Sequence, residues 1–232
     1  MAFQKGDFIL IDYTAKVKET GEVFDTTIEE VAKKEKLYKE GETYEPKLVV
    51  VGEGWVLKAL DEAIQGLELE KKAEVEIPPE KAFGARDPEK VKLVPLRRLL
   101  AKGVTPQVGA QIEFNGKLAT VRTIGAGRVQ LDFNPPLAGK TLIYEITVKK
   151  RLQDPKEKVL ALIHRRIPAV EIEKFKLNMK ETKIELEMPE EAFYLEGIQL
   201  AKRGIALDVQ KFFPEIQTVK FTETYQKKSG EA

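Results

Sequence analysis

The chain has 232 residues, 42% of them hydrophobic, and 39 basic side chains nearly balance 38 acidic ones, for a net charge of +1. This composition supports packed cores and excludes a disordered chain, while the near-zero charge argues against a basic field for nucleic acid or anionic membranes. With no cysteine and a single histidine, His164, the chain lacks the residues for a disulfide, a zinc site, a Ser-His-Asp triad or a Cys-His dyad.

Charged residues make up 33% of the chain, which is typical of a protein from a thermophile. The lack of cysteine fits a reducing compartment, and we expect a cytoplasmic protein. The first residues have no basic segment followed by a long apolar stretch, and no run of about 18 apolar residues occurs, so we expect neither a signal peptide nor a membrane span. No glycine-rich phosphate-binding motif is present. We therefore expect no cofactor and no metal.

The first half of the chain shows strand alternation with one amphipathic helix. Residues 7–25 predict a β-hairpin, in which Tyr13, Ala15 and Val17 share a face and the turn lies at Glu19–Glu22. The charged residues 27–45 predict a surface helix or an excursion between strands. The pattern then predicts a strand over 47–51, a helix over 55–64 and a strand over 72–77.

Residues 86–135 have a different sequence pattern from the residues before them. A short helical patch ends at Gly103, and three strands follow, of which the first two are joined by Asn115-Gly116, the strongest short hairpin signal. An all-β unit of about 50 residues is short for independent stability. We interpret it as an insertion into a host domain, whose sheet is completed by a strand over 142–148.

A further unit follows Leu152. Asp154, Pro155 and Glu157 occupy the N-cap, N1 and N3 positions of a predicted helix that runs to Pro168. The pattern then predicts a strand over 183–188, an amphipathic helix from Pro189 to Phe212 and a strand over 219–225. The predicted domains are a host domain (1–85 and 136–152), an insertion (86–135) and a C-terminal α+β domain (153–232).

Several short motifs lie in a fixed order over residues 1–152. They are Tyr13, Val23–Thr27, Gly52–Gly54 followed by Val56-Leu57 and Leu60-Asp61, Ala82-Phe83-Gly84, and Asn134–Leu142 before Tyr144. In this order the chain resembles the FKBP family, in the SlyD-type form with a small chaperone domain inserted beside the active site. The resemblance implies an α+β fold with an antiparallel sheet and one packed helix. Residues 153–232 resemble the added domain of long archaeal FKBPs.

The resemblance implies a peptidyl-prolyl cis-trans isomerase that also acts as a chaperone on unfolded polypeptides containing proline. The residues it places around the proline pocket are Tyr13, Phe24, Asp25, Val56, Leu57, Leu60, Phe83 and Tyr144. The Leu57 backbone N–H would hold the substrate carbonyl, and Asp25 would orient polar groups at the rim. Rotation about the X-Pro bond breaks amide resonance, with a barrier of about 18–20 kcal/mol. A dry aromatic pocket favours the less dipolar twisted amide, so no nucleophile is needed.

Other interpretations of these residues remain open. Without the resemblance, the strand aromatics would be read as ordinary sheet core, and Asp25 as a turn residue. Phe83 stands where the family usually has tyrosine, and Leu60 where many members have tryptophan. These departures motivate the alternative that the chain is a non-enzymatic holdase on an FKBP scaffold. This sequence lacks the histidine- and cysteine-rich metal-binding tail of some SlyD proteins.

The insertion is expected to hold clients. Six apolar residues cluster on a basic segment and are predicted to form the client surface: Val91, Leu93, Val94, Leu96, Leu99 and Leu100. Alternatively they only pack beneath the three strands. A minor interpretation is a phosphate-binding surface for RNA, based on Arg97, Arg98, Lys102, Arg122 and Arg128. The C-terminal domain has few elements for a core of its own, and we expect it to form a homodimer.

Overall fold

The computed structural model describes residues 2–226, which form two compact units. The larger unit contains the described residues up to Ala15, Val23–Val75, and those from Glu145 onward. The smaller unit contains Lys16–Glu22 and Glu76–Tyr144. Helices and antiparallel sheets are both present, so the predicted α+β class is confirmed.

The strands, in chain order, are β1 (Phe8–Val17), β2 (Val23–Thr26), β3 (Lys47–Val50), β4 (Lys72–Ile77), β5 (Val91–Pro95), β6 (Gln111–Phe114), β7 (Lys117–Gly125), β8 (Arg128–Asp132), β9 (Leu142–Leu152), β10 (Lys176–Met179), β11 (Lys183–Met188) and β12 (Thr218–Glu223). The α-helices are α1 (Glu29–Lys34), α2 (Lys58–Ile64), α3 (Leu96–Leu100), α4 (Pro155–Arg166), α5 (Glu190–Phe193) and α6 (Ile198–Phe212). Single 3₁₀ turns lie at Pro79–Lys81, Pro88–Lys90 and Ile172–Lys174.

The sheet of the predicted host runs in the order β2-β1-β9-β4, with β3 paired antiparallel to β1. Buried residues alternate with half-buried ones along most of β1, as expected for a strand with one face on a core. The strands predicted over 7–25, 47–51 and 72–77 are confirmed. The predicted helix over 55–64 is shorter than expected and begins only at Lys58.

The insertion forms its own antiparallel sheet in the order β5-β8-β7-β6. Asn115 and Gly116, with φ of 55° and 73°, make the predicted tight turn between β6 and β7. The buried core of this sheet consists of Val94, Leu99, Phe114, Ala119, Val121, Val129 and Leu131. The prediction of three strands was wrong, because β5 adds a fourth at the sheet edge.

The C-terminal elements form a three-stranded sheet, β10-β11-β12, in which β11 and β12 run parallel. The Asp154 side chain accepts from the Glu157 N–H at 3.1 Å, which confirms the predicted cap of α4. The long helix expected from Pro189 is instead divided into α5 and α6, because Gly197 adopts φ 73° between them. Strand β10 was not predicted.

The hydrophobic core of the larger unit joins the beginning and the end of the chain. Phe8 of β1 and Leu48 and Val50 of β3 lie in one buried cluster with residues of α4, α6 and the C-terminal sheet. Within residues 2–226, no helix has the length and apolar character needed to cross a membrane.

Candidate active site

The Tyr13 hydroxyl is the centre of a short polar chain. It donates to Asp25 Oδ2 at 2.6 Å and accepts from Lys47 Nζ at 3.2 Å. The Tyr13 side chain is buried, and Lys47 Nζ also lies 5.5 Å from the centroid of its ring. A buried tyrosine hydroxyl needs a hydrogen-bond partner, and here one of its two partners is a carboxylate. The pair therefore fixes the orientation of the half-buried Asp25 carboxylate.

Two buried threonines hold β2 against β1 at this point. The Tyr13 N–H donates to Thr27 Oγ1 at 2.9 Å, and the Tyr13 carbonyl accepts from the Thr27 N–H and the Thr26 hydroxyl, both at 3.0 Å. Because both backbone polar groups of Tyr13 are bonded to Thr26 and Thr27, the segment that follows Phe24 and Asp25 is held against β1.

The loop before α2 is held by Asp61, for which the sequence pattern predicted no function. Asp61 is buried, and its carboxylate accepts from the Gly52 N–H at 2.8 Å and the Gly54 N–H at 3.3 Å. Gly52 has φ 82°, and a Cβ there would lie 2.6 Å from Lys5 Cγ, so any other residue would strain the backbone and displace Lys5. One sequence pattern could have identified Asp61: it is an acidic residue in the first turn of a helix that follows a Gly-x-Gly loop.

Val56 and Leu57 lie between that loop and α2, and both are half-buried. Leu57 is the N-cap residue, with φ −53° and ψ 137°, and its carbonyl accepts from the Asp61 N–H at 2.9 Å. Leu60, one turn later, is only 1% exposed. The first residues of a helix have N–H groups without intrahelical acceptors. This stretch of the larger unit thus combines apolar surface with a region suited to binding a carbonyl.

Phe83 and Tyr144 belong to the smaller unit. Phe83 is 42% exposed, whereas Tyr144 in β9 is 8% exposed. The Gly84 carbonyl, next to Phe83, accepts from the Gly139 N–H at 2.8 Å. Gly139 has φ 75°, and a Cβ there would lie 2.9 Å from Arg86 Cβ. The place of both aromatic residues in the proline pocket stays a prediction from the resemblance.

The predicted client residues differ in burial. Val94 and Leu99 are core residues of the insertion, Val91 and Leu96 are half-buried, and Leu93 and Leu100 are 61% and 52% exposed.

The smaller unit has an open groove of about 380 Å³ with apolar and lysine walls. It is lined by Glu89, Lys90, Lys92, Val94, Phe114, Asn115, Lys117 and Phe133. Lys102 Nζ lies 5.0 Å from the centroid of the Phe114 ring.

A buried carboxylate joins the two ends of the insertion. Asp132 is 1% exposed and accepts from Arg86 at 2.8 Å, from Arg122 at 2.9 Å and from the Asn134 side chain at 2.8 Å. Asn134 also bonds the Asp87 backbone through both its oxygen and its nitrogen. Asn134 thus links the two ends of the insertion, although the sequence also allowed a plain linker there.

These contacts determine the ionisation of Asp132. Burial alone would raise its pKa, but hydrogen bonds from the Asn134 backbone N–H and side chain, and from Arg86 and Arg122, outweigh it. The pKa of Asp132 therefore lies well below the ordinary range of a carboxyl group.

The described residues 2–226 contain no group of three or more His, Cys, Asp or Glu side chains that could hold a metal. His164 lies in the last turn of α4, and its Nε2 is 2.6 Å from Glu45 Oε1. That pair links α4 to the segment before β3 within the larger unit.

Two family models match this chain. The family model for FKBP-type peptidyl-prolyl cis-trans isomerase matches residues 1–149, and the model described as FKBP26_C-terminal matches residues 155–226. The chain is 38% identical to a short-type peptidyl-prolyl cis-trans isomerase of Methanocaldococcus jannaschii over 146 residues, 63% of this chain and 92% of that protein.

Bacterial relatives are more distant. A probable FKBP-type 16 kDa isomerase of Pseudomonas fluorescens is 32% identical over 44% of this chain and 71% of its own length. The isomerase SlyD of Helicobacter pylori is 27% identical over 67% of this chain and 78% of its own length. With a family match over residues 1–149, this chain belongs to the FKBP-type peptidyl-prolyl cis-trans isomerases.

Proposed function

We propose that this isomerase combines catalysis of X-Pro rotation in the larger unit with client holding by the insertion. The observation that carries the catalytic part is the Lys47–Tyr13–Asp25 chain, which lies in the same unit as the half-buried Phe24, Val56 and Leu57. The roles of Phe83 and Tyr144 are proposed on the resemblance alone.

In the proposed mechanism the protein binds the twisted amide more tightly than the planar one. The Leu57 N–H holds the substrate carbonyl, and apolar side chains exclude water from the prolyl ring. Asp25, oriented by Tyr13, anchors polar groups of the bound chain at the rim. An acceleration of about 10⁴-fold requires only about 5.5 kcal/mol, which desolvation and positioning can supply without covalent chemistry.

The chaperone part of the proposal places the client on the insertion. Leu93 and Leu100 are exposed, and so is Leu118 at 67%, which leaves apolar side chains of the insertion available to a client. Strand β5 is a sheet edge, to which an extended client can add a strand. A client held there meets the proline site at a raised effective concentration.

Two assays test this proposal. A protease-coupled assay of a proline tetrapeptide measures isomerisation. If folded protein gives the same isomerisation rate as buffer alone, the non-enzymatic holdase is the remaining alternative. Replacing residues 87–134 by a short loop is expected to spare tetrapeptide turnover, to slow catalysis of proline-limited refolding and to abolish suppression of aggregation. If the loop variant equals the parent in the refolding and aggregation assays, the insertion is not the client-binding domain.

We also propose a homodimer through the C-terminal elements. Leu200 and Leu207 of α6 are 74% and 58% exposed and lie seven residues apart, hence on one helix face. Tyr194 and Tyr225 are 80% and 68% exposed. Light scattering should give twice the monomer mass for the parent and the monomer mass for Leu200→Glu/Leu207→Glu. A monomeric parent would refute the dimer.

A further inference from the structure

Trp55 directly precedes the Val56-Leu57 stretch, and C-terminal residues contact it on two sides. The Arg165 guanidinium of α4 lies 3.9 Å from the centroid of the indole ring. The Phe212 ring of α6 meets it edge-on, with centroids 5.8 Å apart at 77°. Trp55 is partly buried and also packs against the core of the larger unit.

The same loop has a second contact with α6. Lys211 forms an ion pair with Glu53, whose side chain is 19% exposed. Phe212, the next residue, also packs edge-on against Phe8 of β1, with centroids 5.2 Å apart. Two consecutive residues of α6 therefore hold Glu53 and Trp55, and one of them is anchored in the core.

On its other side the loop is fixed by Asp61, which accepts from the N–H groups of Gly52 and Gly54. The loop therefore has contacts with α2 on one side and with the C-terminal helices on the other. Since Leu57 lies two residues after Trp55, the direction of its N–H depends on where Trp55 is held.

Arg165 differs from its neighbour in a way that suits this contact. Burial lowers the pKa of Arg165, as does the adjacent Arg166, while Asp208 opposes them. Arg166 has the shorter pair with Asp208, at 2.8 Å, against 3.9 Å for Arg165. A guanidinium that is partly removed from water and has a weak anionic partner gains most from an aromatic face.

We propose that Arg165, Lys211 and Phe212 are positioning residues for the isomerase reaction, acting through Trp55 and Glu53 on the Leu57 N–H. The inference rests on the proposed function, and it gives the C-terminal elements a part in catalysis besides dimerisation. It is distinct from simple packing, because it requires activity and the state of Trp55 to change together.

Trp55 is the sole tryptophan of the chain, so its fluorescence reports on this contact directly. In the full-length protein, Arg165→Met is expected to lower kcat/KM for a proline tetrapeptide by about fivefold. It is also expected to make Trp55 more accessible to iodide quenching. Arg166→Met is the matched control. It changes the neighbouring arginine of α4, which pairs with Asp208 of α6 rather than with Trp55. It should stay within about twofold of the parent.

A reciprocal exchange tests whether the Glu53–Lys211 pair itself carries the effect. Glu53→Lys and Lys211→Glu should each reduce kcat/KM and increase quenching, and the double variant should recover both. The proposal is overturned if Arg165→Met equals the parent, if Arg166→Met loses as much activity, or if the double variant shows no recovery. A folded parent without turnover overturns the proposed function itself, and this inference with it, whereas an active parent with unaffected variants overturns only this inference.

Discussion

At the scale of single side chains, Tyr13 contributes to the fold and to the proposed site through different atoms. Its ring is buried like any strand aromatic, but its hydroxyl bonds both Asp25 and Lys47. The ring contributes to folding, and the hydroxyl orients a carboxylate. The two contributions can therefore be separated by removing the hydroxyl alone.

Tyr13→Phe is expected to lower kcat/KM by about tenfold, because Asp25 is no longer held in one orientation, and to cost about 1–1.5 kcal/mol of stability for the lost hydrogen bond. Asp25→Ala should reduce kcat/KM at least as much. Phe83→Tyr, which restores the usual family residue, should leave the rate unchanged or raise it. The tetrapeptide assay measures all three, with thermal melting as the control for folding. If Tyr13→Phe and Asp25→Ala both have the kcat/KM of the parent protein, the roles assigned to these residues are wrong.

Asp132 leads to a prediction about pH. Because its folded pKa is depressed, ionised Asp132 stabilises the insertion above the unfolded value of about 3.9, and this stabilisation is lost as the pH falls below that value toward the folded pKa. Asp132→Asn should cost about 2 kcal/mol at pH 7, and the difference from the parent should shrink below about pH 4. Urea unfolding at a series of pH values checks this. A difference independent of pH would show that the charge of Asp132 contributes nothing.

Single residues were predictable only where a local pattern identified them. The cap formed by Asp154 and the strand positions of Tyr13 and Tyr144 follow from neighbouring residues. Asp132 and Arg86 are 46 positions apart, and nothing local to either residue indicates the partner. The same holds for Arg165 and Trp55, which only tertiary packing brings together.

At the scale of elements, the turn between β6 and β7 depends on positive φ at both Asn115 and Gly116. Gly116→Val should destabilise the insertion by about 2 kcal/mol, because a β-branched residue disfavours this backbone region. Amide hydrogen exchange across β6, β7 and β8 measures the loss. Lys117→Val, at the start of β7, is the control and should not weaken the sheet. Unchanged protection in Gly116→Val would mean that the turn does not set this pairing.

Elements with clean alternation were predicted well, and edge elements were not. Strand β5 has Leu93 exposed and Val94 buried, and its remaining positions do not alternate. Its identity comes from backbone pairing with β8, which lies far along the chain. The break between α5 and α6 was missed for a related reason, since the apolar spacing continues through Gly197 while the backbone does not.

At the scale of the whole molecule, the C-terminal residues complete a core that begins in β1. A chain ending at Gln153 would expose the packed faces of Phe8, Leu48 and Val50. We expect the truncated protein to lose on the order of 5 kcal/mol, at about 1.5–3 kcal/mol for each side chain. Thermal melting compares it with the full chain. Equal melting temperatures would show that residues 1–153 form a sufficient core of their own.

The placement of Phe8 and Ile216 in one core also bears on how the protein is synthesised. At about 5–20 residues per second, a ribosome needs roughly 10–40 seconds to pass from the first of these residues to the second. The insertion, whose sheet lies within Val91–Asp132, is complete much earlier. Proteolysis of nascent chains arrested at successive lengths should therefore show protection of the insertion first. The segment proposed to hold other unfolded chains would then be folded while its own protein is still unfinished.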